Sequence, residues 1–167
     1  MIQIKPPLRS SESQKRKFSL FLAGSIESGT AEDWQAKVAE ALKEYDIVIY
    51  NPRRDAWDAS WEQSIDNPKF AEQVNWELDH IELSDLVGMY FAPDTKSPIS
   101  LLELGLIAKS DRLLQKTEAL VCAPKGFWRK GNVDIVCARY GVDQVPNLEE
   151  FIDHIKRRIV AYQSAII

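Results

Sequence analysis

The chain has 167 residues, 45% hydrophobic and 28% charged, with a formal net charge of −4; at roughly 150 residues per domain this allows one globular domain and excludes a cleft between two. The acidic balance excludes a protein whose main partner is a nucleic-acid polymer or an anionic membrane, since both need clustered Lys and Arg. Two cysteines, two histidines and no CxxC exclude a disulfide scaffold and a His/Cys metal centre, so a reduced, cytoplasmic, metal-free protein is expected. The opening MIQIKPPLRSSESQKRK holds two prolines and five basic residues against one acid. It lacks the apolar stretch of a signal peptide, and no later run approaches a membrane span. Residues 1–16 therefore read as a flexible basic tail, and residues 17–167 as a single domain.

FSLFLAG (18–24) is a compact apolar run closed by Gly, the pattern of a buried strand. TAEDWQAKVAEALKEY (30–45) has helical apolar spacing, with Thr30 placed as N-cap and Asp33 as the acid three residues on. DIVIYNP (46–52) is a second strand stopped by Asn-Pro, and FAEQVNWELDHIELS (70–84) a helix. DLVGMYFAP (85–93) is a third strand, and the segment from Pro98 to 110 a helix with proline in its first turn. EALVCAP (118–124) is a fourth strand, 131–141 a short helix, DQV a fifth strand and 147–163 a closing helix.

Strands that are apolar throughout, alternating with helices, imply a parallel sheet covered on both faces: a doubly wound α/β domain with five strands. Ligands of such sheets bind beyond the carboxyl ends of the strands, where the winding reverses. The segments leaving the strands are thus the place for function. They bring Gly24, Ser25 and Ile26, then Asn51, Arg53 and Trp57, then Asp94 and Ser97, and last the GNVD segment with Asn132 and Asp134. Gly24-Ser25 would let the backbone approach a ligand closely. Trp57, Trp61 and Phe127 offer rings for stacking or loop packing, and the Arg53-Arg54 pair offers forks for phosphate or partners for Asp55 and Asp58.

GxGxxG, GxxxxGK[ST], GxSxG and HExxH are all absent, which removes the dinucleotide fingerprint, the P-loop, the nucleophile elbow and the zincin helix. With both histidines on helices and read as packing or surface residues, acid and base work falls to carboxylates. Glu103 stands out, an acid in the first turns of an otherwise apolar helix, where a carboxylate needs a partner or a purpose. Glu77 on the preceding helix and Asp85 at the start of the third strand supply further acid. Two carboxylates on one pocket suit glycosidic bond cleavage, one attacking the anomeric carbon and the other assisting the leaving group.

FLAGSI, NPRRDAW, QVNWELDHIELSD, SPISLLELG and FWRKGNVDIVCARYG, in that order over about residues 18–142, resemble the nucleoside 2-deoxyribosyltransferase superfamily, in its branch of small single-domain proteins. The resemblance implies a flavodoxin-like fold, a dimer-based homo-oligomer and a nucleophile at Glu103, with Glu77 as the acid on the helix before the third strand. It implies that Asn132 reaches the sugar in a neighbouring subunit's site, with Asp134 beside it. The implied reaction moves deoxyribose from one nucleobase to another through a covalent deoxyribosyl-Glu ester, without a cofactor. An N-glycosidase acting on a nucleoside or nucleotide with water as acceptor is the alternative, and a non-catalytic nucleotide sensor a third reading. The chain departs from the pattern twice: Leu20 stands where a first-strand Tyr is expected, and Ser97 where an acid is expected, with Asp94 earlier in the loop.

Overall fold

Apolar strand runs must be covered on both faces, and the chain achieves this with helices on either side of one sheet. The structure is a computed structural model that describes residues 1–27, 31–109 and 117–165. In chain order these form β1 (Ile2–Ile4), a 3-10 turn (Gln14–Arg16), β2 (Phe18–Gly24), α1 (Trp34–Ala41), β3 (Ile47–Tyr50), α2 (Pro68–Leu83) and β4 (Leu86–Tyr90). Then follow α3 (Pro98–Lys109), β5 (Glu118–Cys122), α4 (Lys130–Tyr140), β6 (Asp143–Val145) and α5 (Leu148–Ala165). The strands pair in parallel throughout, in the order β1-β3-β2-β4-β5-β6. Without β1 this is the flavodoxin order 2-1-3-4-5, whose winding reverses between β2 and β4.

Side chains alternate across β2 and divide the core. Phe21 and Ala23 join Trp76, Val87, Met89 and Leu104 beneath α2, α3 and α4, while Leu20 and Leu22 join Trp34, Val38, Phe151 and Ile155 beneath α1 and α5. Helix ends follow local chemistry. Asn67 caps α2 by accepting from Lys69 N at 3.1 Å and Phe70 N at 3.3 Å, with Pro68 at the first turn. Gly141 closes α4 in the left-handed conformation at φ 64°.

Two expectations change. The sheet has six strands, because Ile2–Ile4 pairs with Val48–Tyr50 of β3; the flexible tail expected over 1–16 is instead a strand followed by a strap. Trp76 Nε1 donates to Leu8 O at 2.7 Å, Tyr50 OH donates to Ser10 Oγ at 3.0 Å, and Arg9 pairs with Asp79 at 2.9 Å. The strap gains order through long-range bonds that its own composition does not announce. Helix α1 is shorter than expected, with Asp33 as its N-cap accepting from Ala36 N at 3.0 Å; Thr30, expected in that role, lies outside the described residues.

Candidate active site

At the switch point the ends of β2 and β4 run side by side, with Gly24 in register with Tyr90. Ser25 leaves β2 fully buried. Its N–H donates to Tyr90 O at 2.9 Å, and its Oγ accepts from Ala92 N at 2.8 Å and bonds the hydroxyls of Thr95 at 2.7 Å and Ser97 at 2.6 Å. Glu27 crosses to the same turn, its Oε1 accepting from Lys96 N at 2.9 Å and Ser97 N at 2.8 Å. Three non-glycine residues here have left-handed backbones: Glu27 at φ 46°, Asp94 at 60° and Ser97 at 46°. Such a concentration of sparsely populated conformations is held only where surrounding bonds over-determine it, and it is typical of functional sites.

Helix α3 starts from this turn. Ser97, Ser100 and Glu103 recur every third residue and are all buried, Glu103 to 8% exposure, so they share one helix face. Burial first, and the charge of Glu77 second, push the Glu103 carboxyl up to about 8. Glu77 comes from α2, where burial pushes its carboxyl up to about 7 against a 2.8 Å bond from Gln73 Nε2 that favours the ionised form. Among the described residues, no Lys or Arg forms an ion pair with either acid. Two desolvated carboxyls, both raised to near neutrality and one of them raised further by the charge of the other, can present one carboxylate and one carboxylic acid at once. Glu103 also lines a cavity of about 200 Å³ between α2 and α3, with Leu78, Ile81, Leu106 and Thr117.

Other expected site residues are placed elsewhere or held by neighbours. Asp85 precedes β4, at the amino edge of the sheet, where its Oδ2 accepts from Ser19 N at 2.9 Å and Ser19 Oγ at 2.8 Å. The five-residue strand between them puts it on the order of 20 Å from the switch-point turn at ~3.3 Å per residue, so it cannot share a pocket there. Gly24 is required by the neighbouring strand, since an added Cβ would meet Tyr90 O at 2.1 Å; the close approach is to protein backbone. Ile26 is half-buried, its carbonyl accepting from Ala31 N at 3.2 Å. Asn51 is buried, its N–H on Ile4 O and its Oδ1 accepting from Arg53 N, both at 3.0 Å.

The two arginines are engaged internally. Arg53 donates to Gln35 Oε1 at 2.9 Å and to the carbonyls of Ala31 at 3.1 Å and Glu32 at 2.9 Å, with Asp33 3.4 Å away. Arg54 pairs with Glu72 at 3.0 Å and lies 5.1 Å from the Trp61 ring centre. The partners expected for them, Asp55 and Asp58, are occupied by Lys5 and Ser60. Trp57 is exposed and packs on Trp61 at 5.3 Å. Phe127 is core, stacked on Phe91 at 4.9 Å, rather than free for a ligand. His80 is likewise buried, bonded to Trp76 O at 2.6 Å and packed against the Trp76 and Tyr50 rings. Leu20 faces the α1/α5 side of the sheet, so no side chain at that position could orient Glu103 on α3.

Asp94 is exposed, while Ser97 is buried within the hydroxyl cluster. Asn132 is exposed and lines a groove of about 340 Å³ between α3 and α4, with Leu101, Leu104, Trp128 and Val136. That groove is on the opposite flank of α3 from the Glu103 cavity. Asp134 accepts from Lys130 Nζ at 2.8 Å and Gln144 Nε2 at 3.0 Å; burial raises its pKa, but these bonds outweigh it and hold the carboxyl below its ordinary value. Three residues of the site escaped sequence reading. Gln73, four residues before Glu77, has a legible helical spacing, whereas Thr95 and Glu27 enter through turn geometry that no local pattern signals.

A family model described as nucleoside 2-deoxyribosyltransferase like matches residues 17–127. The matched stretch takes in the Ser25 cluster, Glu77 and Glu103, and stops short of Asn132. Among solved structures, a conserved protein from Enterococcus faecalis V583 is similar at TM-score 0.58 and 16% identity, over 85% of this chain and 99% of that one; the likeness is one of fold. A comparison with curated proteins finds no match. No described helix is long and apolar enough to cross a membrane. The match covers more than half of the sequence, and the chain belongs to the nucleoside 2-deoxyribosyltransferase-like family.

Proposed function

We propose that the protein is a nucleoside 2-deoxyribosyltransferase that exchanges the base of a 2′-deoxynucleoside. Glu103 attacks C1′, the C1′–N bond breaks, and its electron pair goes to the base nitrogen, which takes the proton carried by Glu77. The product pair is a deoxyribosyl ester on Glu103 and a carboxylate on Glu77. An incoming base then repeats the sequence in reverse, giving up a proton to Glu77 and taking the sugar with net retention. A single observation carries this reading: a buried acid, Glu103, and a half-buried one, Glu77, on helices that flank one cavity, both raised to near neutrality by loss of solvent. Such a pair supplies a nucleophile and an acid from the same two side chains.

Assembly follows from α3. Ile99, Leu102 and Leu106 are each more than half exposed on that helix, at a spacing that makes one apolar stripe. With Asn132 on the flank away from Glu103, a second copy packed over α3 and α4 would bring its own Asn132 to the sugar of this site. A nucleotide substrate finds less support, because Arg53 is bonded to Gln35 and two carbonyls and Arg54 to Glu72.

The test is incubation with paired 2′-deoxynucleosides and free bases, with chromatography of the products. Deoxyribose transfer to the added base, abolished in Glu103→Ala, is expected. Free sugar released at one rate whatever base is added would replace the transferase with a hydrolase, and unchanged turnover in Glu103→Ala would remove the nucleophile.

A further inference from the structure

Gln73 on α2 is 4% exposed, and both hydrogens of its carboxamide are directed, one to Pro52 O at 3.0 Å and one to Glu77 Oε1 at 2.8 Å. Its own carbonyl oxygen is buried and has no donor among the described residues. A buried amide with an orphan acceptor ordinarily turns over to find a better set of bonds. Here it cannot, because Pro52 O only accepts: turning the amide would set oxygen against oxygen. The end of β3 therefore dictates which end of Gln73 meets Glu77, at the expense of the orphan oxygen.

We propose that Gln73 is a positioning residue for Glu77, its amide locked by the Pro52 carbonyl as a donor to Glu77 Oε1, so that Oε2 alone is left to give and take the proton of the reaction. This inference rests on the acid role of Glu77 given above and adds a named device that sets which carboxyl oxygen does the work. The i,i+4 spacing on α2 keeps the two side chains on one face, and Pro52, directly after Asn51, ties that face to the carboxyl end of β3. Burial and the bond from Gln73 on its own helix set the charge of Glu77, which in turn raises the Glu103 carboxyl on α3; among the described residues no cation pairs with it. A bond that favours the ionised form also keeps Glu77 from rising beyond the range where it can both donate a proton to a departing base and accept one from an arriving base.

The claim is tested by carboxyl-carbon NMR titration of glutamate-labelled protein, which needs no turnover. In the wild type, the Gln73 side-chain amide protons are expected to shift in step with the Glu77 titration. In Gln73→Met, which keeps the volume and removes the donor, Glu77 is expected to titrate at higher pH. There kcat for base exchange should fall by about 10-fold or more with KM little changed. Gln73→Asn, which withdraws the amide by one methylene, should move both quantities the same way and replaces the Met variant if that fails to fold. Amide protons of Gln73 that stay fixed while Glu77 titrates, or a Glu77 midpoint unmoved in a folded variant, would overturn the proposal. A wild type that shows the coupled titration but exchanges no base would instead overturn the reading of function and leave Gln73 as the partner of Glu77.

Discussion

Gly24 and Tyr90 approach so closely that a β-carbon on the glycine would lie 2.1 Å from the tyrosine carbonyl oxygen. The contact is backbone to backbone, and Gly24 has φ 139°, a conformation that side-chain-bearing residues rarely adopt. Gly24→Ala is therefore expected to destabilise the fold by about 3 kcal/mol, read as a lower urea midpoint. A loss under about 1 kcal/mol would mean that the strands part without strain.

Glu103→Gln should stabilise the protein while abolishing its chemistry. The folded-state pKa of Glu103 is raised from 4.5 to about 8. The folded state therefore binds the proton more tightly than the unfolded state, and the stability this gives is present in full below pH 4.5 and lost as pH rises through 8. Removing the charge relieves that loss, so at pH 9 the variant should be more stable by roughly 2 to 4 kcal/mol, with little difference at pH 4. Equal stability of the two proteins at both pH values would show that Glu103 is not desolvated.

The pH profile of kcat/KM should be bell-shaped and narrow. The reactive form holds one proton on the carboxyl pair, on Glu77 with Glu103 ionised. Glu103 being the more strongly raised, this is the minor of the two singly protonated forms, and both are populated most between the two apparent values near 7 and 8. Glu77→Gln should lower the rate by about 10²-fold or more. A rate still climbing at pH 10 would remove the acid role.

Mixing two inactive variants tests the shared site. If Asn132 acts on a neighbour's sugar, Glu103→Ala combined with Asn132→Ala restores about a quarter of wild-type activity after random reassociation of a dimer. Neither variant alone recovers. No regain on mixing, in an oligomer shown to exchange subunits, would confine each site to one chain.

Deleting residues 1–10 should not be neutral. It removes the β1 ladder on β3, the buried Ile4 and the bonds that Leu8 and Ser10 make with Trp76 and Tyr50. A loss of at least about 2 kcal/mol is expected, measured by thermal unfolding. An unchanged midpoint would return the segment to the status of a solvated extension.

The four longer parallel strands and the helices are legible, because continuous apolar runs and helical periodicity are local properties of the chain, and their alternation points to the carboxyl edge for the candidate site. Glu103 was legible for the same reason, as a charge where periodicity asked for an apolar residue. β1 was not: three residues before Pro6-Pro7 carry too little pattern, and what orders them is the exposed edge of β3. Asp85 was misplaced although the information was present, since a residue that opens a parallel strand stands at the amino edge, away from any switch-point ligand. Phe127, in a loop segment, is open to stacking or packing on sequence alone, and Phe91 at 4.9 Å makes it a packing ring. Gln73 and Glu27 act through partners 21 and 69 to 70 residues away, separations over which sequence pattern is silent.

The left-handed turn that launches α3 works as an index mark. Asp94 and Ser97 reverse the chain within a few residues, and Ser25 and Glu27 clamp the result, so the angular phase of the whole helix is decided before its first turn is complete. Each helical residue advances the phase by about 100°. One residue added or removed between Ser97 and Glu103 would swing the carboxyl by that amount and carry it off the α2-facing flank. It would rotate the outward stripe of Ile99, Leu102 and Leu106 out of phase with α4 as well. The number of residues from Ser97 to Glu103 should thus be the least negotiable dimension of the protein, with reactivity and assembly failing together when it changes.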